Sequence, residues 1–132
     1  LRVLTQGLMD LGLINKKETN HLDHALELKA YQRFYMHRTS HWLGMDVHDV
    51  GEYRDPHSSA NPRPWRTLEP GMILTIEPGL YIRPADDVHS DYWNIGIRIE
   101  DDALITTDGC ELLSRDVPVC VKEIEYLMKQ SS

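Results

Sequence analysis

The chain has 132 residues, of which 41% are hydrophobic and 27% are charged, a composition typical of a globular protein with one core. Its 21 acidic and 14 basic residues give a formal net charge of -7, which argues against nucleic acid or an anionic membrane as a partner. No apolar run approaches the ~20 residues that span a bilayer, and the first residues do not resemble a signal peptide, so we expect a cytoplasmic location. The spacing of Cys110 and Cys120 indicates neither a zinc site nor a disulfide framework, and we expect two reduced thiols.

The first part of the chain has the periodicity of amphipathic helices. Leucines at steps of three and four residues predict a helix over about residues 1–13, which ends near Gly12. The same period predicts a second helix over about residues 16–28. It carries His21 and His24, which we interpret as solvated surface residues rather than ligands.

Residues 34–51 are unusually rich in histidine and aspartate between aromatic and aliphatic residues. His37 and His41 are four residues apart, but the segment lacks the Glu that follows the first His in a helical zinc-protease motif. We therefore expect loop and strand. His48 is expected to project from an extended segment, with Asp46 on the same face to orient its ring. One such histidine is more often a packed core residue than a catalytic group, whereas three within twelve residues favour a functional site.

Two segments have strand patterns. Residues 72–77 form a nearly continuous β-favouring run between two Pro-Gly pairs, and Glu77 is its one acidic residue. Residues 95–100 alternate strictly, which places three isoleucines on one face and Arg98 and Glu100 on the other.

The remaining segments complete a mixed α and β pattern without an internal repeat. Residues 55–70 hold four prolines and predict an irregular connection. Residues 103–106 are expected to return as a strand after a turn at Asp101 and Asp102. A final helix is predicted over about residues 121–128.

Glu77 and Glu100, the acidic residues of the two predicted strands, need partners for their negative charge. A carboxylate such as Glu77 within an apolar strand costs several kcal/mol unless a partner compensates it. Taken singly, these residues fit a structural ion pair between Arg98 and Glu100 and one solvated glutamate. Taken with the histidines, two buried carboxylates and an imidazole form a ligand set that suits Mn²⁺, Co²⁺ or Zn²⁺ in a hydrolytic site.

Three ordered segments resemble the successive signatures of the aminopeptidase P family, which belongs to the superfamily of methionine aminopeptidase, prolidase and creatinase. They are HWLGMDVHDVG at residues 41–51, LEPGM to TIEPGLY at residues 68–81, and GIRIEDD at residues 96–102. The similarity runs from the first helices to the closing residues 123–128. It implies an α+β fold, the C-terminal half of a pita-bread fold in which helices flank a curved antiparallel sheet.

The resemblance implies metal ligands in this chain. His41 matches a terminal ligand of one ion, Glu77 a ligand that also manages the proton of the attacking water, and Glu100 a ligand that bridges two ions. The family uses a dinuclear centre, usually of Mn²⁺, with Co²⁺ or Zn²⁺ possible, and its bridging hydroxide attacks the peptide carbonyl. No organic cofactor is implied.

The resemblance also assigns supporting groups and shows a departure. His48 matches the histidine that steadies the substrate and the tetrahedral intermediate, and His37 and Arg98 match groups that hydrogen-bond the substrate or the ligands. Family members carry two further ligands, an aspartate pair in the first half of the catalytic domain, and nothing here resembles that pair. We therefore interpret residues 1–132 as the C-terminal part of the catalytic domain. Without its N-terminal half, we expect the chain to be inactive and to self-associate.

The leading prediction is a cytoplasmic Xaa-Pro aminopeptidase, a homo-oligomer when complete, that releases the N-terminal residue from peptides with proline at the second position. Prolidase, which cleaves dipeptides that end in proline, is the nearest alternative, although residues 94–98 and the short loop after Tyr81 resemble aminopeptidase P more closely. A non-catalytic module that kept the half-fold to bind a partner also stays open. Titration with Mn²⁺ separates these classes, since a binding module has no reason to hold the ion.

Overall fold

The computed structural model describes residues 1–130, except for the side chains of residues 16 and 18. Where the composition predicts one core, the chain divides into two compact units that alternate along the sequence. The first unit contains residues 1–38 and 78–98, and the second contains residues 39–77 and those from 99 onward. The helices are α1 (Arg2–Asp10), α2 (Lys16–Thr19), α3 (Leu22–Glu27) and α4 (Val121–Gln130), and 3-10 turns span Ala30–Arg33 and Ser90–Tyr92. The strands are β1 (Ile73–Ile76), β2 (Gly79–Ile82), β3 (Ile95–Arg98), β4 (Asp101–Ile105) and β5 (Cys110–Leu112).

The helices of the first unit confirm one prediction and correct another. Helix α1 is confirmed, and Gly12 follows it with a φ of +73°, a conformation that glycine adopts without strain. The single helix predicted over residues 16–28 is wrong. Asn20 has a φ of 57°, which breaks the helix, and His21 caps α3 by accepting the amide hydrogen of His24 on its ring nitrogen. His21 is exposed as expected, whereas His24 is half-buried.

The hydrophobic core of the first unit joins the helices to the β2 region. Leu8 and Phe34 are its largest fully buried apolar side chains, and burial of a side chain of this size contributes about 1.5–3 kcal/mol. The amide of Tyr81 in β2 donates to the Phe34 carbonyl at 2.8 Å. The buried members of the cluster are Leu8, Met9, Ile14, Ala25, Phe34, Ile82 and Val88.

A two-stranded ribbon and an ion pair complete the first unit. Strands β2 and β3 pair in antiparallel fashion, and the isoleucine face of β3 is exposed. The Arg33 guanidinium donates to both carboxylate oxygens of Asp87, at 2.5 and 2.7 Å. This donation holds the pKa of Asp87 below its usual value.

The second unit is built on a three-stranded antiparallel sheet in the order β1-β4-β5. The turn predicted at Asp101 and Asp102 is wrong, because both residues lie within β4. The predicted hairpin of residues 95–100 with residues 103–106 is therefore also wrong, since β3 pairs with β2 whereas β4 pairs with β1. Residues 55–70 are irregular, as expected.

The end of the chain carries helix α4, which confirms the predicted final helix. No helix within residues 1–130 combines the length and apolar character that crossing a lipid bilayer requires. Cys110 and Cys120 are free and exposed, as the sequence predicts.

Candidate metal centre

Strand β1 is the central element of the candidate site. On one side of it the segment around His41 runs antiparallel, because the Thr75 amide donates to the His41 carbonyl at 3.0 Å and the Glu77 amide donates to the Thr39 carbonyl at 2.8 Å. Opposed residues of an antiparallel pair project on the same face, and so do residues two apart on one strand. His41, Thr75 and Glu77 therefore share one face.

The other side of β1 brings in Glu100. The ladder between β1 and β4 runs in antiparallel register to its last pair, Ile76 with Asp101. One step further along this register, Glu77 stands opposite Glu100, although 22 residues separate them in the chain. Pro78 follows immediately, and its lack of an amide hydrogen prevents continuation of the ladder. The two carboxylates thus meet where the sheet ends.

These three side chains form a compact donor set. One ligand atom from each of His41, Glu77 and Glu100 lies within 4.8 Å of the others. Among the side chains that the structure describes, this is the one cluster of at least three His, Cys, Asp or Glu residues that brings its ligand atoms so close. An imidazole with two carboxylates is a donor set that fits Mn²⁺, Co²⁺ or Zn²⁺. The structure therefore brings together all three residues that the sequence predicts as ligands.

The two carboxylates differ in burial. Glu77 is 7% exposed, and its Oε1 atom accepts a hydrogen bond from the Thr75 hydroxyl at 3.3 Å and lies 3.2 Å from Nε2 of His41. The Thr75 hydroxyl is one of the compensating partners that the sequence predicts for Glu77. The prediction of two buried carboxylates is wrong, because Glu100 is exposed. Glu77 lies between the segment around Thr39 and the start of β4, which cover it, whereas Glu100 lies just before β4 begins at Asp101.

The orientation of the His41 ring suits a metal ligand. Its Nδ1 atom lies 2.9 Å from the Trp42 carbonyl oxygen. A carbonyl only accepts, so Nδ1 carries the hydrogen and Nε2 keeps its lone pair. Nε2 is also the atom nearest Glu77. Such a hydrogen bond from the remote ring nitrogen commonly orients histidine ligands of metal ions.

His48 lies beside this group but on a bent loop, so the predicted extended segment is wrong. Its exposed ring meets the His41 ring edge to face, with centroids 4.3 Å apart. The loop is held by Asp49, because its carboxylate accepts the amide hydrogens of Met45 and Val50. Orientation of the His48 ring by Asp46 stays a prediction.

Gly44 is required by the same loop. A Cβ atom at this position would lie 1.8 Å from Oδ2 of Asp49, so the carboxylate would have to move and give up its bond to the Met45 amide. The backbone approach at Gly44 and the Asp49 carboxylate together set the path of the loop that carries His48. Sequence analysis missed both roles, although Gly44 and Asp49 lie within the family-like segment 41–51.

The other two candidate residues, His37 and Arg98, meet in the first unit around Tyr81. Arg98 Nε donates to the Tyr81 hydroxyl oxygen at 2.8 Å, and that oxygen lies 2.9 Å from His37 Nε2. His37 Nδ1 lies 2.7 Å from the Arg38 carbonyl oxygen and therefore carries the hydrogen. Nε2 must then accept, which makes the Tyr81 hydroxyl its donor.

Sequence analysis did not select Tyr81. The available signal was strand alternation, which places Tyr81 on the same face as Gly79 in β2. A Cβ atom at Gly79 would lie 2.7 Å from the Tyr81 hydroxyl, and one at Gly96, opposite Tyr81 in β3, would touch its ring at 3.4 Å. The two glycines leave the space that the ring occupies.

Comparison with known proteins agrees with this geometry. Residues 9–107 match the model of metallopeptidase family M24. The Xaa-Pro aminopeptidase of Haemophilus influenzae is 44% identical over 128 residues, which are 97% of this chain and 27% of that protein. The solved structure of Pseudomonas aeruginosa aminopeptidase PepP aligns with a TM-score of 0.85 at 50% identity, over 98% of this chain and 27% of its own. Zinc-substituted Escherichia coli aminopeptidase P in complex with product aligns with a TM-score of 0.83 at 45% identity, over 99% and 27%.

The matches support the α+β fold expected for the pita-bread superfamily, with antiparallel sheets and flanking helices. The chain spans about a quarter of the length of the relatives that it matches. The family model covers three quarters of the chain, and its boundaries enclose every candidate site residue. The chain belongs to metallopeptidase family M24.

Proposed function

We propose that this chain forms part of the active site of a metal-dependent Xaa-Pro aminopeptidase, which releases the N-terminal residue of peptides with proline at the second position. The observation that carries the proposal is the convergence of His41, Glu77 and Glu100 within 4.8 Å at the end of the β1–β4 ladder. The name of the Haemophilus influenzae relative supports the substrate class.

The three ligands suit hydrolysis in different ways. A divalent ion held here supplies a lowered pKa for bound water and positive charge beside the substrate carbonyl. Glu77, which is buried, accepts the proton of the attacking water and returns it to the leaving nitrogen. His41 keeps Nε2 directed into the site through its bond to the Trp42 carbonyl, and Glu100 adds the second carboxylate.

The histidines outside the ligand set have separate roles in this proposal. His48 is exposed beside His41, where it donates a hydrogen bond to the carbonyl oxygen as negative charge develops. Both ring nitrogens of His37 are engaged, by the Arg38 carbonyl and by Tyr81. We infer that His37 contacts the substrate through its ring rather than through a hydrogen bond, while Arg98 fixes Tyr81.

The metal and the missing ligands also belong to the proposal. Mn²⁺ is the ion that we expect, in a dinuclear centre, and Co²⁺ or Zn²⁺ fit the same donor set. The zinc-substituted neighbour supports this choice of ions.

A second ion requires ligands beyond His41, Glu77 and Glu100. We propose that residues 1–132 are the C-terminal part of a catalytic domain whose other part supplies two aspartates, in an enzyme that assembles as a homo-oligomer. The free thiols of Cys110 and Cys120 support a reducing, cytoplasmic location.

Metal binding is the first test. The purified chain is checked by intact mass and titrated with Mn²⁺, and His41→Ala is compared with His57→Ala. His57 is an exposed histidine of the irregular segment in the same unit, so its removal controls for the loss of an imidazole. We expect the parent chain and His57→Ala to bind the ion and His41→Ala to lose it. A chain that takes up no Mn²⁺, even after addition of the polypeptide that carries the aspartates, would contradict the proposal and favour a binding module.

Peptide hydrolysis is the second test. An Xaa-Pro-Xaa tripeptide and an Xaa-Pro dipeptide are each offered with and without Mn²⁺. The chain alone is expected to cleave neither, and addition of the polypeptide that carries the aspartates is expected to restore cleavage of the tripeptide. Cleavage of the dipeptide alone favours prolidase. Mn²⁺-dependent cleavage by the 132-residue chain would show that the site is completed without the two aspartates.

A further inference from the structure

Asp101 follows the ligand Glu100 directly, and its side chain faces away from the ligand cluster. Neighbouring residues of a strand project to opposite faces, so Asp101 lies on the reverse side of the sheet from Glu100. Its carboxylate is 15% exposed. One oxygen accepts from the Ser114 hydroxyl at 2.9 Å, and the other accepts from Nη2 of Arg115 at 2.6 Å.

The same residues are joined through the backbone. The Asp102 amide donates to the Ser114 hydroxyl oxygen at 3.0 Å, and the Leu113 amide donates to the Asp102 carbonyl at 2.8 Å. Four hydrogen bonds thus tie residues 101–102 to residues 113–115. The Ser114 hydroxyl belongs to two of them, since it donates to Asp101 and accepts from Asp102.

This latch, formed by Asp101, Ser114 and Arg115, replaces the strand ladder where the ligand needs support. The pairing between β4 and β5 ends at Ala103 with Leu112, so no further β5 residue pairs with the start of β4. One backbone bond, from the Leu113 amide to the Asp102 carbonyl, continues beyond that pair, and side chains add the other bonds. The far end of β4 differs, because a short turn with a hydrogen bond from Thr106 to Asp108 closes it.

Electrostatics explains why Glu100 needs an anchored backbone. Its carboxylate is exposed, and one of its oxygens lies within 4.8 Å of a Glu77 carboxylate oxygen and of a His41 ring nitrogen. Without a bound ion the two carboxylates repel, which favours a backbone movement that separates them. Fixing the next residue on the reverse face limits that movement.

We propose that Asp101, Ser114 and Arg115 are positioning residues that hold Glu100 in ligand geometry before an ion binds. The inference rests on the proposed metal site. Outer partners that orient ligands typically change metal affinity by about 10- to 100-fold when removed. The latch acts through the backbone, so its loss changes affinity more than the stability of the ion-free chain.

The test measures Mn²⁺ affinity by calorimetry, together with thermal unfolding of the ion-free chain, for Asp101→Asn and Ser114→Ala. Both variants are expected to bind Mn²⁺ about tenfold more weakly while remaining folded at the assay temperature. Ser114→Thr keeps the hydroxyl and is expected to restore parent affinity. Asp108→Asn, which weakens the turn at the far end of β4, is the matched control and is expected to bind as the parent chain does.

Each other result is decisive. Parent affinity in both folded latch variants overturns the inference while leaving the proposed metal site intact. Equal losses in Asp108→Asn overturn it as well, because they show a general effect of loosening β4. If Asp101→Asn unfolds, the comparison of Ser114→Ala with Ser114→Thr decides. A parent chain that binds no Mn²⁺ overturns the metal site and this inference together.

Discussion

Replacement of Glu77 by glutamine separates the effect of this residue on folding stability from its effect on Mn²⁺ affinity. Glutamine keeps the size of the side chain and one carbonyl oxygen but removes the charge. The Thr75 hydroxyl and His41 Nε2 contact the same oxygen of Glu77, Oε1, and a glutamine oxygen in that position still accepts from the Thr75 hydroxyl.

The structure predicts that this variant is more stable without metal. Two charges within 4.8 Å of each other repel by at least about 0.9 kcal/mol in water and by at least about 3.5 kcal/mol at an effective dielectric constant of 20. Glu77 is buried and Glu100 exposed, so an intermediate value of about 2 kcal/mol applies. The Thr75 bond to a neutral acceptor is weaker by about 1 kcal/mol. The net gain is about 1 kcal/mol, a rise of about 4 °C in unfolding temperature.

The assay combines thermal unfolding of the ion-free chain with Mn²⁺ titration at about pH 8, above the ordinary pKa range of carboxylates. Glu77→Gln is expected to unfold at a higher temperature and to lose Mn²⁺ affinity at least about 100-fold, since a neutral amide is a poor ligand for the ion. Glu111→Gln, an exposed glutamate on β5, is expected to change neither property. A variant that unfolds several degrees lower, or that binds Mn²⁺ as the parent does, refutes the reasoning.

Three further predictions concern other residues. Gly44→Ala forces the loop away from Asp49 and is expected to slow peptide cleavage by the active enzyme about 100-fold, whereas Gly109→Ala, with nothing within 4 Å, serves as a silent control. Tyr81→Phe is expected to lower kcat/KM in the same assay without changing Mn²⁺ affinity. Asp87→Asn is expected to lower stability in urea unfolding at neutral pH. Because the native pKa of Asp87 lies below its ordinary 3.8, the difference shrinks as the pH falls through that lower value.

Sequence periodicity predicted element types better than element partners. Helix α1, strand β1 and helix α4 were predictable because their patterns are local. Pairing was not, since alternation over residues 95–100 specifies faces and says nothing about which strand lies alongside. The break at Asn20 was missed for a related reason, because residues 16–28 keep a helical period through a residue that adopts a positive φ.

For the site, residue chemistry and resemblance predicted the ligands but not their environments. A carboxylate in an apolar strand indicated a buried Glu77, and this was confirmed. The same argument failed for Glu100, because exposure at the start of a strand depends on what covers that end. Tyr81 and Asp49 were missed because neither is unusual in its local sequence, and each acts through hydrogen bonds to partners whose proximity follows from the fold.

The ligand positions also explain why β1 is followed by a glutamate and then by a proline. A site at the end of the β1–β4 ladder takes one carboxylate from each strand without breaking a hydrogen-bonded pair, and Pro78 after Glu77 ends the pairing at that point. Repulsion between the two carboxylates then opposes folding until an ion binds. Other contacts must offset that repulsion. The Thr75 hydroxyl donates to Glu77, and the latch holds Asp101, the residue after Glu100. Metal binding and folding are therefore coupled, so Mn²⁺ is expected to raise the unfolding temperature of the parent chain but not that of Glu77→Gln.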